Sequence, residues 1–256
     1  MLDFNQVPKV ANQISDLLNV LIDDALVLNR MKQPVRNYLG ASQLGAECPR
    51  ALQYEYNNTP KDAGKEFNGQ TLRIFALGHL FEELAISWLK SAGFDLRVRE
   101  ENNRQFGFKA ANGKIAGHVD GIIYGAPDSL HMQVPALLEV KSMNSKSWKD
   151  TVKKGLVLSK PIYAAQIAMY QAYMEESIPG ISVNPALLTA INKDTAEIYH
   201  ELIPFDKELA EKVTNKAFEI INASDSGTIL PRLFATREFL TCRSCSWQDG
   251  CWSEIQ

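Results

Sequence analysis

Four cysteines, and where they stand, constrain this chain more than any other feature. Cys48 lies near the N-terminus, while Cys242, Cys245 and Cys251 follow near the C-terminus as C-x2-C-x5-C, and there are no others. Three thiols so close together suit a ligand cluster better than three unrelated core positions. They leave one coordination position, and only Cys48 can fill it. A four-thiolate site of this kind joins residues 194 positions apart. Whatever lies between must then fold as one body whose two ends meet. Four thiolates suit either Zn²⁺ or an iron–sulfur cluster. Zinc usually takes two C-x2-C knuckles, so one knuckle, a wider C-x5-C and a distant partner favour [4Fe–4S], with Zn²⁺ as the alternative.

The 256 residues are enough for one substantial core. A formal net charge of −3 excludes uniform attraction to nucleic acid but still allows a local basic groove. No apolar run approaches the ~20 residues that span a bilayer. The opening MLDFNQVPKV lacks the basic-then-apolar plan of a secretory leader. We therefore expect a cytoplasmic protein without membrane association, where clustered thiols bind metal rather than pair as disulfides.

Helical spacing predicts an N-terminal helix over 10–32, a short helix carrying Cys48 with Pro49 in its first turn, and a strong helix over 71–92. In the last, Leu77, Phe81, Leu84 and Trp88 form an apolar stripe, and Gly93 ends it. From residue 94 the period falls to two. Segments 94–100, 104–110, 114–124 and 136–142 read as successive strands, with Asn112-Gly113 as a hairpin turn. A helix over 161–176, strands over 186–192 and 196–204, and a helix over 206–223 lead to the cysteine-bearing tail. The plan is mixed α/β, in a single domain covering residues 1–256.

The chemistry concentrates in the third and fourth strands. Asp120 lies in GHVDGIIYG, and Glu139-Val140-Lys141 follows. Alternation puts Glu139 and Lys141 on one strand face and Val140 in the core, and it puts His118 on the face of Asp120. Two carboxylates from neighbouring strands beside a lysine suit metal-assisted hydrolysis, with Asp120 and Glu139 as oxygen ligands of Mg²⁺ and Lys141 near the attacking water. A bare D…E-x-K match is more often a surface salt bridge on a sheet edge. Three more features bear on the choice. His79 and Glu82 stand at i, i+3 on the 71–92 helix, facing away from its apolar stripe. Gln166 and Tyr170 share a face of the helix after the E-x-K strand. Residues 141–160 carry six lysines, among them Lys146 and Lys149, against the single acid Asp150.

These elements in this order resemble the PD-(D/E)XK nuclease superfamily. Within it they resemble the RecB-like exonuclease branch with a four-cysteine iron–sulfur cluster, the type of the AddB nuclease domain and the CRISPR-associated exonucleases. Gly78-His79-Leu80-Phe81-Glu82 matches the helical motif, Asp120 the metal-binding aspartate and Glu139-Val140-Lys141 the (D/E)-x-K. Gln166 to Tyr170 matches Q-x3-Y, and the cysteines match the one-early, three-late arrangement. Val119 stands where the family name has proline, and Glu83 adjoins Glu82 as a rival carboxylate.

The resemblance implies a restriction-endonuclease-like central mixed sheet flanked by helices. The nuclease core would cover about 71–204, with Cys48 and 242–251 as a cluster-binding clasp. It implies a metal-dependent DNA exonuclease acting on single strands or strand ends in recombination, repair or replication. Asp120, Glu139 and Lys141 would be catalytic, and His79, Glu82, Asp120 and Glu139 would hold Mg²⁺ or Mn²⁺. Gln166, Tyr170, Lys146 and Lys149 would support DNA, and Cys48, Cys242, Cys245 and Cys251 would hold [4Fe–4S]. With no G-x4-G-K-[S/T] present, unwinding would fall to a helicase on another chain, and a single-strand annealing or recombination protein is a further expected partner. The host would be a bacterium or a phage-infected cell. Two other readings stay open: a non-catalytic DNA-binding or recombination-mediator module on the same fold, and an endonuclease of the same superfamily.

Overall fold

Capping residues set the helix boundaries. The computed structural model describes residues 9–253. Helix α1 (Lys9–Met31) is followed by strand β1 (Leu39–Gly40), which runs directly into α2 (Ala41–Leu44). Pro49 takes the first turn of α3 (Pro49–Tyr56), where its missing N–H costs nothing. The Asn68 side chain accepts the Thr71 N–H at 2.8 Å and starts α4 (Gly69–Ser91), and Gly93 follows its end at φ +95°. Next come β2 (Asp95–Arg97), β3 (Gly107–Ala110), β4 (Ile115–His118), β5 (Gly121–Gly125) and β6 (Ala136–Met143). Asn144 caps α5 (Ser145–Lys154), before α6 (Leu156–Ser159) and α7 (Pro161–Met174). Strands β7 (Ala186–Asn192) and β8 (Ile198–Ile203) precede α8 (Lys207–Asp225), and α9 (Leu240–Arg243) and α10 (Gln248–Ser253) complete the tail. Among the described residues no helix is long and apolar enough to cross a membrane.

The strands form two sheets. One is five-stranded and mixed, in the order β2-β5-β6-β7-β8, with β6–β7 its parallel pair. The other, β1-β4-β3, was not foreseen. The hairpin expected at Asn112-Gly113 joins β3 and β4, and both residues hold positive φ. Segment 114–124, expected as one strand, is two strands in different sheets. The buried Val119 sends its N–H to the Phe106 carbonyl, and pairing resumes with β6 only at Gly121. Asp120 therefore sits at the crossing point between sheets. Strand alternation does not run from His118 to Asp120.

Strand β6 is covered on both faces. Leu137 and Met143 join the larger core, which α7 and α8 also fill, while Ala136, Leu138 and Val140 pack with Ala85 and Leu89 of α4. This corrects the expected stripe on α4. Leu77, Leu84 and Trp88 stay exposed, and the helix buries Ala85 and Leu89 against the sheet with Phe81 and Ile86 beside them. Periodicity marks an apolar stripe but not its partner, and small Ala85 lets the helix backbone approach the sheet.

Segments far apart in the sequence are joined by hydrogen bonds where Gln53–Asp62 meets Thr228–Gly250. Gln53 exchanges hydrogen bonds with the Thr228 carbonyl (2.6 Å) and the Leu230 N–H (2.8 Å). The Asp62 carboxylate accepts the N–H groups of Asp249 (2.6 Å) and Gly250 (3.0 Å). The Trp247 indole donates to the Thr59 carbonyl at 2.9 Å.

Candidate active site

Register brings the carboxylates together. Gly121 pairs with Leu138, so Asp120 stands beside Glu139, and its Oδ2 accepts the Val140 N–H at 2.7 Å. Glu139 is fully buried in the central strand. Its Oε1 accepts the Gln166 Nε2–H at 2.7 Å and pairs with the Lys141 ammonium, while its Oε2 has no hydrogen-bond partner. Gln166 also donates to the Tyr170 hydroxyl at 3.1 Å, so the expected Gln–Tyr pair of α7 acts as a brace behind Glu139. The Lys141 ammonium lies 4.8 Å from the centre of the Tyr163 ring.

From α4, His79 and Glu82 pair at 3.7 Å, with His79 at the exposed rim and Glu82 more enclosed. His79, Glu82, Asp120, Lys141, Gln166 and Tyr170 line a cleft of about 780 Å³ at the β4–β5 crossing, and Glu139 is buried rather than part of its lining. Glu83 lines it too. His118 also lines the cleft, though not by strand alternation. Lys146 and Lys149 do not. They line a separate basic depression on α5 with Lys153 and Lys160.

The electrostatics follow from burial and crowding. Burial pushes the Glu139 carboxyl up to about 8, opposed by Lys141 and reinforced by Asp120. Burial also raises Asp120, and it raises Glu82 with Asp120 adding to the rise. Burial alone would lower Lys141, but Glu139 and Asp120 outweigh it and hold the ammonium charged. Three carboxylates near one point cannot all ionise cheaply without a cation. Among the described residues no group of three or more His, Cys, Asp or Glu is arranged so that it could hold a metal ion as it stands. The fit rests on the unpartnered Glu139 Oε2 and the shared rise of the three acids, both of which a hard divalent ion would relieve.

All four cysteines line one apolar cavity of about 270 Å³, together with Tyr54, Trp247 and Trp252. Burial raises the Cys242 and Cys245 thiols, and the nearby Cys48 and Cys251 thiols add to the rise at each. The expected convergence of the early cysteine with the late three is present.

No protein-family model matches the sequence, and no curated protein matches it. Among solved structures, SSO0001 matches over 95% of this chain and 98% of its own, at 17% identity and a TM-score of 0.50. LHK-Exo in complex with dAMP matches over 75% of this chain and 89% of its own, at 13% identity and a TM-score of 0.50. A second structure of LHK-Exo, described as an alkaline exonuclease from Laribacter hongkongensis, gives 14% identity over the same shares and a TM-score of 0.49. The chain shares the fold of LHK-Exo. At this identity the likeness to LHK-Exo is one of fold alone.

Several cleft residues carry no signal in the sequence. Arg36, Tyr38, Arg99 and Gln105 line the cleft beside the carboxylates. Arg36 lies 5.1 Å from the Tyr38 ring centre, and Gln105 Nε2 donates to the Val119 carbonyl at 3.2 Å. They come from loops and strand ends without periodicity, and only the fold gathers them.

Proposed function

We propose that this chain is a divalent-metal-dependent DNA exonuclease of the PD-(D/E)XK type, acting at strand ends or on single strands. The observation that carries the reading is Glu139: a carboxylate buried in a central strand, with one oxygen unpartnered, two more acids beside it and a charged lysine on the same strand face. A surface salt bridge has none of these properties. LHK-Exo, whose fold the chain shares, is an exonuclease by name and was crystallised with dAMP, a nucleoside monophosphate.

Asp120 and Glu139 hold Mg²⁺ or Mn²⁺, with Glu82 and His79 completing or supporting the set. When bound, the ion supplies a water of lowered pKa and neutralises charge on the phosphate. Lys141, kept cationic, orients that water or steadies the phosphate oxygens. Gln166 and Tyr170 fix Glu139 in place. Lys146 and Lys149 guide the DNA backbone outside the cleft. The four cysteines hold a [4Fe–4S] cluster. The cysteine spacing supports this choice over Zn²⁺, because zinc usually takes two C-x2-C knuckles and this chain has one C-x2-C, a wider C-x5-C and a distant partner.

The test is degradation of DNA labelled separately at each end, with Mg²⁺ or Mn²⁺, by wild type and Asp120→Ala prepared anaerobically. Wild type is expected to shorten DNA from an end, and Asp120→Ala to lose at least about 100-fold in rate. Binding without cleavage under either metal would instead mark a non-catalytic module. Cutting of a closed circle would mark an endonuclease. Colourless anaerobic protein carrying zinc, without iron and sulfide, would overturn the cluster assignment.

A further inference from the structure

Among the described residues, fourteen of the twenty-nine large apolar side chains that stay exposed lie on α1 and α4. On α4 they recur at heptad spacing as Ile74, Leu77, Leu84 and Trp88, with the half-buried Phe81 completing the series. On α1, Ile14, Leu17, Leu21 and Leu28 fall on the same spacing, with Asp24 interrupting the series. Both helices are 23 residues long. They touch where Asp23 of α1 pairs with Arg73 and packs on Gly69 at the start of α4. The apolar seams remain open all the same, with Leu17 65% and Leu77 51% exposed.

The size of this surface decides what can cover it. A large aliphatic side chain carries on the order of 100 Å² of apolar area that burial can remove. Fourteen at about half exposure present roughly 700 Å², above the few hundred Å² usual for a monomer and near the ~800 Å² that each partner contributes to a stable interface. A lipid surface fits poorly, because interfacial helices are flanked by Lys and Arg. Helix α1 has Asp16, Asp23 and Asp24 against Lys9 and Arg30.

We propose that α1 and α4 pack against the same two helices of a second copy of this chain, forming a two-fold symmetric four-helix contact. Each copy carries two seams of equal length, so one symmetric contact covers all four at once. A different protein would have to match both seams. At 3.6 residues per turn, His79 and Glu82 lie on another side of α4 from Leu77 and Leu84, so the cleft stays open in the pair.

The test is the mass of the full chain in solution at micromolar concentration, by sedimentation velocity and light scattering. Wild type is expected near twice 28.6 kDa. Two double variants, Leu17→Glu with Leu21→Glu and Leu77→Glu with Leu84→Glu, are each expected to halve the mass while keeping the far-UV circular dichroism of the wild type. Because they lie on different helices, a folding defect in one leaves the other to decide. A wild type of 28.6 kDa throughout, or a dimer that survives in either folded variant, overturns the proposal. A monomeric wild type would assign the surface to a different protein.

Discussion

Glu139 shows how one residue ties stability to function. Its carboxyl stands near 8 in the fold against an ordinary 4.5. A carboxyl raised in this way favours folding below its unfolded value, and that contribution is lost as pH rises through the folded value. Metal-free protein is therefore expected to lose melting temperature between pH 4.5 and 8. Mg²⁺, which binds the ionised form, should restore more at pH 8 than at pH 5. Melting curves in EDTA and in Mg²⁺ across this range check both parts. An equal Mg²⁺ shift at both pH values, or none, would show that the ion does not bind at Glu139.

At the scale of elements, two glycines behave in opposite ways. A Cβ on Gly117 of β4 would collide with the Tyr170 ring and Ala41. Gly117→Ala is expected to cost about 1–3 kcal/mol. It should also slow cleavage by displacing the tyrosine whose hydroxyl Gln166 holds. Gly78, in the α4 motif, meets nothing nearer than the Ser142 hydroxyl at 4.0 Å. There Ala should stabilise the helix by about 0.5–1 kcal/mol. Urea unfolding and nuclease rates together test the pair. If Gly78→Ala gains stability but loses rate, the free space over Gly78 belongs to the DNA. Helix α4 also shows what a sequence leaves open. Its amphipathic stripe was legible, but the covered face was not, because Ala85 and Leu89 are chosen by the sheet they meet rather than by their spacing.

Across the whole molecule, hydrogen bonds join α3 and the segment after it to the cysteine-bearing tail. Asp62 caps two backbone N–H groups of the cysteine-bearing tail, and Gln53 holds Thr228 and Leu230. Asp62→Ala returns two exposed donors to water and is expected to cost about 0.5–1.5 kcal/mol. If the thiols hold the proposed cluster, Cys48→Ser is expected to remove its iron and lower the melting temperature while the far-UV circular dichroism stays native, since this network remains. Iron content with thermal melts of both variants decides it. A cysteine variant that unfolds outright would mean the ligand, not the network, joins the ends.

By itself the sequence determined the chemistry on offer: Asp120 ahead of Glu139 and Lys141, the Gln166–Tyr170 pair, His79 with Glu82 on one helix, and thiols at both ends. These follow from residue type and from periods of 3.6 and two, which local backbone geometry enforces. Only the tertiary structure decided that 114–124 splits between two sheets, and that Arg36, Tyr38, Arg99 and Gln105 complete the cleft. It also decided that the lysines of α5 lie outside that cleft and that two apolar helix faces stay bare. Those outcomes depend on contacts between residues far apart in the chain, which the spacing of neighbours does not encode.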